Sequence, residues 1–149
     1  MGRALFAVGA LLALFFVILG VVVYFTRSED QLAIDNQLAE NVTRAISQSE
    51  ELGRDVDLRR LAPFPWSRVL VVAPDTTASA VSRELGSEYK ADLPLPSAST
   101  VLVFANGNAL ARVADYRGRG TFEGFEEPIA SLPRPEAVFR VRDLIVSPA

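Results

Sequence analysis

The chain has 149 residues, a net charge of −3 at pH 7, and neither cysteine nor histidine. These features exclude disulfides, thiol nucleophiles, histidine-based catalytic triads and the usual zinc ligand sets, and the negative charge gives no support to a nucleic-acid partner. We predict no cofactor and no metal, because no phosphate-binding or calcium-binding loop motif occurs in the sequence.

Residues 4–25, ALFAVGALLALFFVILGVVVYF, form a run of 22 residues without a charge, and 15 of them are Leu, Ile, Val or Phe. A helix of this length is about 33 Å long, close to the roughly 30 Å hydrocarbon core of a bilayer. A secretory signal peptide has a shorter apolar region of about 7 to 15 residues and ends at a small-residue cleavage site. The sequence therefore predicts an uncleaved single-pass membrane anchor over residues 1–27.

The residues on either side of this run indicate its orientation in the membrane. Arg3 and Arg27 balance each other in the positive-inside rule. A very short amino-terminal tail is typical of a signal-anchor. We therefore expect an anchor in the cell membrane with a cytoplasmic amino terminus and an extracytoplasmic carboxy-terminal domain.

The same run has small residues on one face, Gly9, Ala13 and Gly20. Small residues on one face of a membrane helix let another helix approach closely, so this face is a candidate contact with a partner helix.

Residues 28–53 are predicted to form a juxtamembrane amphipathic helix of about 24 residues. Ser28 is a candidate amino-terminal cap, and Gly53 suits a left-handed stop. Two interpretations of its apolar stripe remain open. The stripe covers the protein's own domain, or it packs against a partner helix or a second copy of this chain. The stripe consists of Ile34, Leu38, Val42, Ala45 and Ile46.

Residues 54–149 are predicted to form a small extracytoplasmic α+β domain. A buried strand at 67–73 is followed by a short helix capped at Asp75 or Thr76 and ended by Gly86. The hairpin TVLVFANGNALARV turns at Asn106-Gly107, which would place Phe104 opposite Ala109. A last strand is predicted within residues 137–146. The order β-α-β-β-β implies one helix on a single four-stranded sheet.

The only tryptophan lies in the segment LAPFPW, just before the first strand. Pro63 and Pro65 restrict the preceding residues to extended conformations, so Phe64 and Trp66 are presented from a stiff backbone. Two interpretations are open here as well. Both aromatic side chains complete a small core, or they form an exposed platform that binds a partner.

Residues 57–74, DLRRLAPFPWSRVLVVAP, resemble a sequence pattern found in other proteins. The chain resembles a group of small bacterial membrane proteins and lipoproteins over residues 57–105. Their pattern runs Leu-x-x-Leu-x-Pro-Phe-x-Trp-Asp, a basic residue, Val, an apolar strand, Pro-Tyr and a helix. The chain differs from it at Ser67 and Asp75. The resemblance implies an extracytoplasmic bacterial domain and supplies no activity.

Two classes of function follow from these predictions. The first is a membrane-anchored, non-catalytic interaction or accessory protein, a subunit of a larger membrane complex. The alternative is an extracytoplasmic enzyme or small-ligand binder that uses the loops between residues 87 and 127. The side chains available for that chemistry are Ser87, Lys90, Asp115, Glu123, Glu126 and Glu127.

Overall fold

A computed structural model describes residues 34–89, 99–126 and 128–149, which adopt an α+β fold of helices and two four-stranded sheets. The predicted anchor over residues 1–27 and the predicted cap at Ser28 lie outside the described residues. Within the described ranges, every helix is too short or too polar to cross a bilayer.

Helix α1 spans Asn36–Leu52, shorter than the predicted juxtamembrane helix. The Asp35 carboxylate caps it by accepting the Leu38 N–H at 3.0 Å, and Gly53 ends it with a left-handed φ of 62°, as predicted. Ile34 is not helical. It forms a parallel β-bridge with Val113, so an unbroken helix from Ser28 to Gly53 is wrong, because the chain is still extended when it reaches Asp35.

The first sheet has the strand order β4-β3-β2-β6, with antiparallel neighbours throughout. Between β2 and β3 lies helix α3, Ala78–Leu85, which follows the short helix α2, Leu58–Leu61. Helix α3 packs Val81 and Leu85 onto one face of this sheet. The predicted strand and helix within residues 67–86 are therefore present. The strands are β2 (Arg68–Val72), β3 (Val101–Asn106), β4 (Ala109–Asp115) and β6 (Ile129–Pro133).

The amino-terminal cap of α3 is Thr77, whose hydroxyl accepts the Ala80 N–H at 3.3 Å. Neither predicted cap is used. Asp75 occupies a left-handed turn with φ of 62°, and the Thr76 hydroxyl donates to the Ala73 carbonyl at 2.6 Å. The helix ends at Gly86, as predicted, with φ of 75°.

The second sheet has the strand order β1-β7-β8-β5, and it makes the predicted single sheet wrong. The predicted last strand is a hairpin that turns at Asp143 and Leu144, both with positive φ. Its strands pair with β1 and β5, while β6, from a segment in which the sequence predicts no strand, completes the first sheet beside β2. The strands are β1 (Val56–Asp57), β5 (Thr121–Phe122), β7 (Val138–Arg142) and β8 (Ile145–Pro148).

The β3–β4 hairpin turns one residue later than predicted, at Gly107-Asn108. Gly107 has φ of 60° at the first central position, which is typical of a type II′ turn, and its N–H donates to the Ser67 hydroxyl at 2.9 Å. Phe104 consequently pairs with Arg112 rather than with Ala109, and a bulge follows at Ala105. The contact with Ser67 is not local in sequence, so the Asn-Gly dipeptide alone could not reveal the shift.

The larger core lies between the two sheets and α1, on the face of the first sheet opposite α3. Helix α1 buries Leu38, Val42 and Ile46 of its predicted stripe in this core, with Ala45 partly buried against it, and belongs to the same compact unit as the sheets. Ile34, the other residue of the predicted stripe, lies outside the helix. Each of the three elements contributes buried side chains. They include Val42 and Ile46 from α1, Val69, Leu102 and Phe104 from the first sheet, and Phe139 and Val146 from the second.

Residues 117–120, RGRG, pack closely against the side chain of Tyr116. The Gly120 N–H donates to the Tyr116 hydroxyl at 3.1 Å, and a Cβ added at Gly118 would lie 2.2 Å from that oxygen and 2.4 Å from Cζ. The glycines are therefore required by close packing against an aromatic ring.

We expect Gly118→Ala to lower the free energy of unfolding by roughly 1–3 kcal/mol, because the methyl group overlaps the Tyr116 ring. Urea unfolding of both single variants and the double variant tests this. In a Tyr116→Ala background the same substitution should cost close to nothing. An equal cost in both backgrounds would show that the ring is not the obstacle.

Candidate partner-binding surface

The structure places the predicted partner-binding residues in different surroundings. Gly9, Ala13 and Gly20 lie outside the described residues. Leu38 and Val42, which are 3% and 1% exposed, pack inside the protein's own core, which agrees with the first interpretation of the α1 stripe. Their role in binding a partner stays a prediction, and it would require α1 to leave the core.

Trp66 is 3% exposed and packs between neighbouring groups of its own domain. Its indole N–H donates to the Ala62 carbonyl at 3.0 Å, and its ring meets Phe104 edge to face at 5.1 Å. The Arg134 guanidinium lies 5.3 Å from the ring centroid. These contacts explain the burial of the indole by packing within its own domain. A role for Trp66 in partner binding stays a prediction.

Phe64 lies half-buried at a cleft of about 360 Å³ beside the amino-terminal end of α1. Its ring packs edge to face on Phe104 at 5.5 Å, and the Arg112 guanidinium lies 5.6 Å above it. Arg112 also approaches the Asp35 carboxylate at 3.6 Å. The apolar floor of the cleft is Leu38, Leu61, Pro63 and Phe64, and its polar rim is Asp35, Gln37, Asn41 and Arg112.

A second cleft of about 220 Å³ continues along the same side of α1 and shares Leu61 with the first. We call the two clefts together the α1 groove. Its helical wall has spacings of three and four residues, and its opposite wall is formed within residues 54–64. The helical wall consists of Gln37, Asn41, Ala45, Gln48 and Leu52.

Apolar periodicity in the sequence does not predict most residues of the helical wall. Apolar periodicity finds the side of a helix that folds inwards. The helical wall carries no charge, whereas the neighbouring exposed face of α1 has Glu40, Arg44 and Glu51. The opposite wall of the second cleft is charged and carries Arg54, Asp55, Asp57 and Arg60. A charge-free stripe beside a charged one is the signal that could have found the helical wall.

Of the groups proposed for catalysis, Asp115 and Ser87 are hydrogen-bonded within the fold, and Glu123 and Glu126 line one cleft of about 230 Å³. Asp115 accepts the Ser99 hydroxyl and the Arg117 Nε–H, the latter at 3.0 Å. The Ser87 hydroxyl donates to the Asn108 carbonyl, and Glu123 and Glu126 are exposed. Lys90 and Glu127 lie outside the described residues. Across the described ranges, no three acidic side chains are grouped as a metal site would require.

The pKa shifts of the described groups follow from packing and pairing. Burial raises the pKa of Tyr89 to about 12 and also raises the pKa of Tyr116. Hydrogen bonds from Arg59 lower the pKa of the Asp57 carboxyl, and the same contact raises the pKa of Arg59. Each of these shifts moves a group away from neutrality, whereas a general acid or base needs a pKa near the working pH.

No protein-family model, curated protein or solved structure matched this chain.

Proposed function

We propose that this chain is a single-pass, membrane-anchored, non-catalytic interaction or accessory protein, a subunit of a larger membrane complex. Residues 1–27 are its anchor, and the domain from residue 34 onward is extracytoplasmic. The observation that carries the proposal is the α1 groove, whose apolar floor and polar rim suit another protein.

The anatomy of the groove supports this proposal. The centres of protein–protein interfaces are poor in charge and rich in apolar contacts, while their rims are polar. Leu61 and Phe64 supply the apolar centre, and the Asp35–Arg112 ion pair lies at the rim. Leu52, at the far end of the groove, is 62% exposed, a large apolar side chain that a partner would cover.

Two sequence features support the proposed membrane anchor and the proposed extracytoplasmic location of the domain. The uncharged run over residues 4–25 has the length and composition of a membrane helix. The resemblance of residues 57–105 to small bacterial membrane proteins and lipoproteins favours the extracytoplasmic side.

Affinity purification of the full chain from native membranes in mild detergent tests the proposed function. Asn41→Arg puts a long cation into the first cleft and should reduce recovery of the partner roughly tenfold or more. Ser79→Arg, on the exposed side of α3, is the matched control and should leave recovery unchanged. Equal recovery with both variants, or no partner with the wild type, would contradict the proposal.

The proposed membrane topology gives a second prediction. A cysteine introduced at Asn106, exposed beside the β3–β4 turn, should react with a membrane-impermeant maleimide in intact cells. The natural chain has no cysteine, so its background labelling is zero. Gly2→Cys, on the other side of the predicted anchor, should react only after lysis. The reverse pattern would place the domain in the cytoplasm.

A further inference from the structure

We infer that the cleft of about 230 Å³ beside residues 122–126 binds an organic cation, an alkylammonium group with a short apolar stem. The group belongs to a small amine or to a lysine side chain of another protein, and both present the same chemistry. The described residues that line this cleft are not shared with the α1 groove, so the inference goes beyond the proposed function and does not rest on it. We call this site the 122–126 cleft.

The 122–126 cleft continues the space between the two sheets. Strand alternation directs Leu102 and Phe104 of β3 into the larger core, and it directs Thr100, just ahead of the strand, toward the same side. Val71, the partner of Leu102 on β2, belongs to that core and also lines the cleft. The cleft therefore begins where the apolar filling between the sheets stops.

A hydroxyl without a partner lines the cleft at this point. Thr100 is 9% exposed, and its carbonyl accepts the Tyr116 N–H at 3.0 Å. Its hydroxyl has no hydrogen bond to any residue within 34–89, 99–126 and 128–149. A buried hydroxyl that lacks a partner is costly, and it can accept a hydrogen bond from an ammonium N–H. A bound alkylammonium group would satisfy this hydroxyl.

The mouth of the cleft is negatively charged. Glu123 and Glu126 line it, and both are exposed. The described lining residues include no lysine or arginine, and neither carboxylate forms an ion pair within the part of the chain that the structure describes. Two such carboxylates, with no cation competing for them, attract a positively charged group to the cleft.

The aromatic lining favours an organic cation over a metal ion. Phe122 and Phe125 are half-buried, with ring centroids 5.8 Å apart. An ammonium group is attracted to the negative faces of such rings, and an alkyl stem gains by covering them and Val71. A calcium ion instead takes roughly six to eight oxygen ligands, whereas the described residues of the cleft offer only two carboxylates.

The size and exposure of the cleft determine the expected affinity. Sites for drug-sized ligands have volumes of roughly 300–1,000 Å³, so a cleft of about 230 Å³ takes only one short stem and its charged head. Each exposed ion pair changes an affinity by at most about fivefold. We therefore expect weak binding, with a dissociation constant of about 1–10 mM for n-butylammonium.

Titration of the full chain in detergent with n-butylammonium chloride tests the inference. The amide NMR signals of Thr100 and Gly124 should shift and should saturate in this concentration range. 1-Butanol has the same stem without the charge, so its affinity should be roughly tenfold lower. Equal affinities of the two probes would show that apolar burial alone fills the cleft and would overturn the inference.

Removal of the two charges gives a second measurement. Glu123→Gln with Glu126→Gln should weaken the binding of n-butylammonium roughly tenfold. Glu84→Gln with Glu136→Gln is the matched control, an equal change at exposed positions outside the cleft, and it should leave the affinity unchanged. Equal effects of the two pairs would contradict a site at the cleft.

Thr100→Val removes only the hydroxyl. It should weaken the binding of n-butylammonium roughly threefold and should not lower the stability toward urea, because the hydroxyl that it replaces has no partner among the described residues. Lower stability with unchanged binding would assign the hydroxyl to the fold and would contradict the inference.

A capped Gly-Lys-Gly peptide, acetylated and amidated, separates the two sources of the cation, because its only ammonium group is the lysine side chain. Binding at least as tight as that of n-butylammonium assigns the cleft to a lysine of another protein, and weaker binding assigns it to a small amine. If neither probe binds at about 50 mM, the inference is wrong. The proposed function is decided separately, by Asn41→Arg.

Discussion

Truncation of the single tryptophan, Trp66→Ala, is expected to lower the free energy of unfolding by about 3–5 kcal/mol. The substitution removes the edge-to-face contact with Phe104, the Arg134 contact and the hydrogen bond to the Ala62 carbonyl, and it leaves a cavity between them. A domain of this size has only about 5–15 kcal/mol of stability in total. Urea unfolding of the full chain in detergent, monitored by circular dichroism, measures the loss of stability.

Trp66→Phe is the matched control for this experiment. It keeps an aromatic ring beside Phe104 and loses the indole N–H, so we expect a smaller cost, near the roughly 1 kcal/mol net value of one hydrogen bond plus a small packing loss. The wild-type indole should emit at short wavelength because it is buried. A long-wavelength emission and an unchanged stability for Trp66→Ala would instead make the residue part of a recognition surface.

Phe139→Ala should cause a loss of similar size, about 3–5 kcal/mol, in the second sheet. Phe139 is fully buried on β7, and its ring meets Phe122 at 5.8 Å and Phe125 at 5.6 Å. Because this ring cluster joins the core shared with α1 and the first sheet, the whole domain should unfold in one transition at a lower urea concentration.

The next residue along β7 provides the control for Phe139. Arg140 points away from the core and reaches Asp55 at 4.0 Å across the protein surface, so Arg140→Ala should cost less than about 1 kcal/mol. Equal effects of the two substitutions, or a separate transition for the second sheet, would mean that the two sheets do not share one cooperative core.

The sequence predicted the elements whose ends carry a local signal. Gly53 and Gly86 end α1 and α3 because a left-handed residue is needed there, and glycine adopts that conformation without a Cβ clash. The β-branched run of β2 likewise predicts a buried strand. These signals depend on neighbouring residues alone, so a single sequence contains them.

Strand pairing depends on contacts between distant residues, and here the prediction was wrong. Nothing within Ile129–Pro133 indicates that it lies beside β2, and the alternation of Phe139 and Val141 predicts a strand without naming its sheet. The candidate site shows the same contrast between local sequence signals and contacts of distant residues. Apolar periodicity predicted the stripe that α1 buries, while the groove exists only because residues 54–64 fold against the helix.

The Ile34–Val113 bridge decides how the fold responds to mechanical load. Tension on the chain ahead of Ile34 enters the domain at the edge of β4, and the Asp35 N–H to the Val113 carbonyl, 2.8 Å long, bears it first. One such bond contributes only about 1 kcal/mol net. The bridge therefore yields before the core does. Its release would add a few ångströms of slack ahead of α1 while the Asp35 carboxylate still caps the helix, so a moderate pull would leave the groove intact.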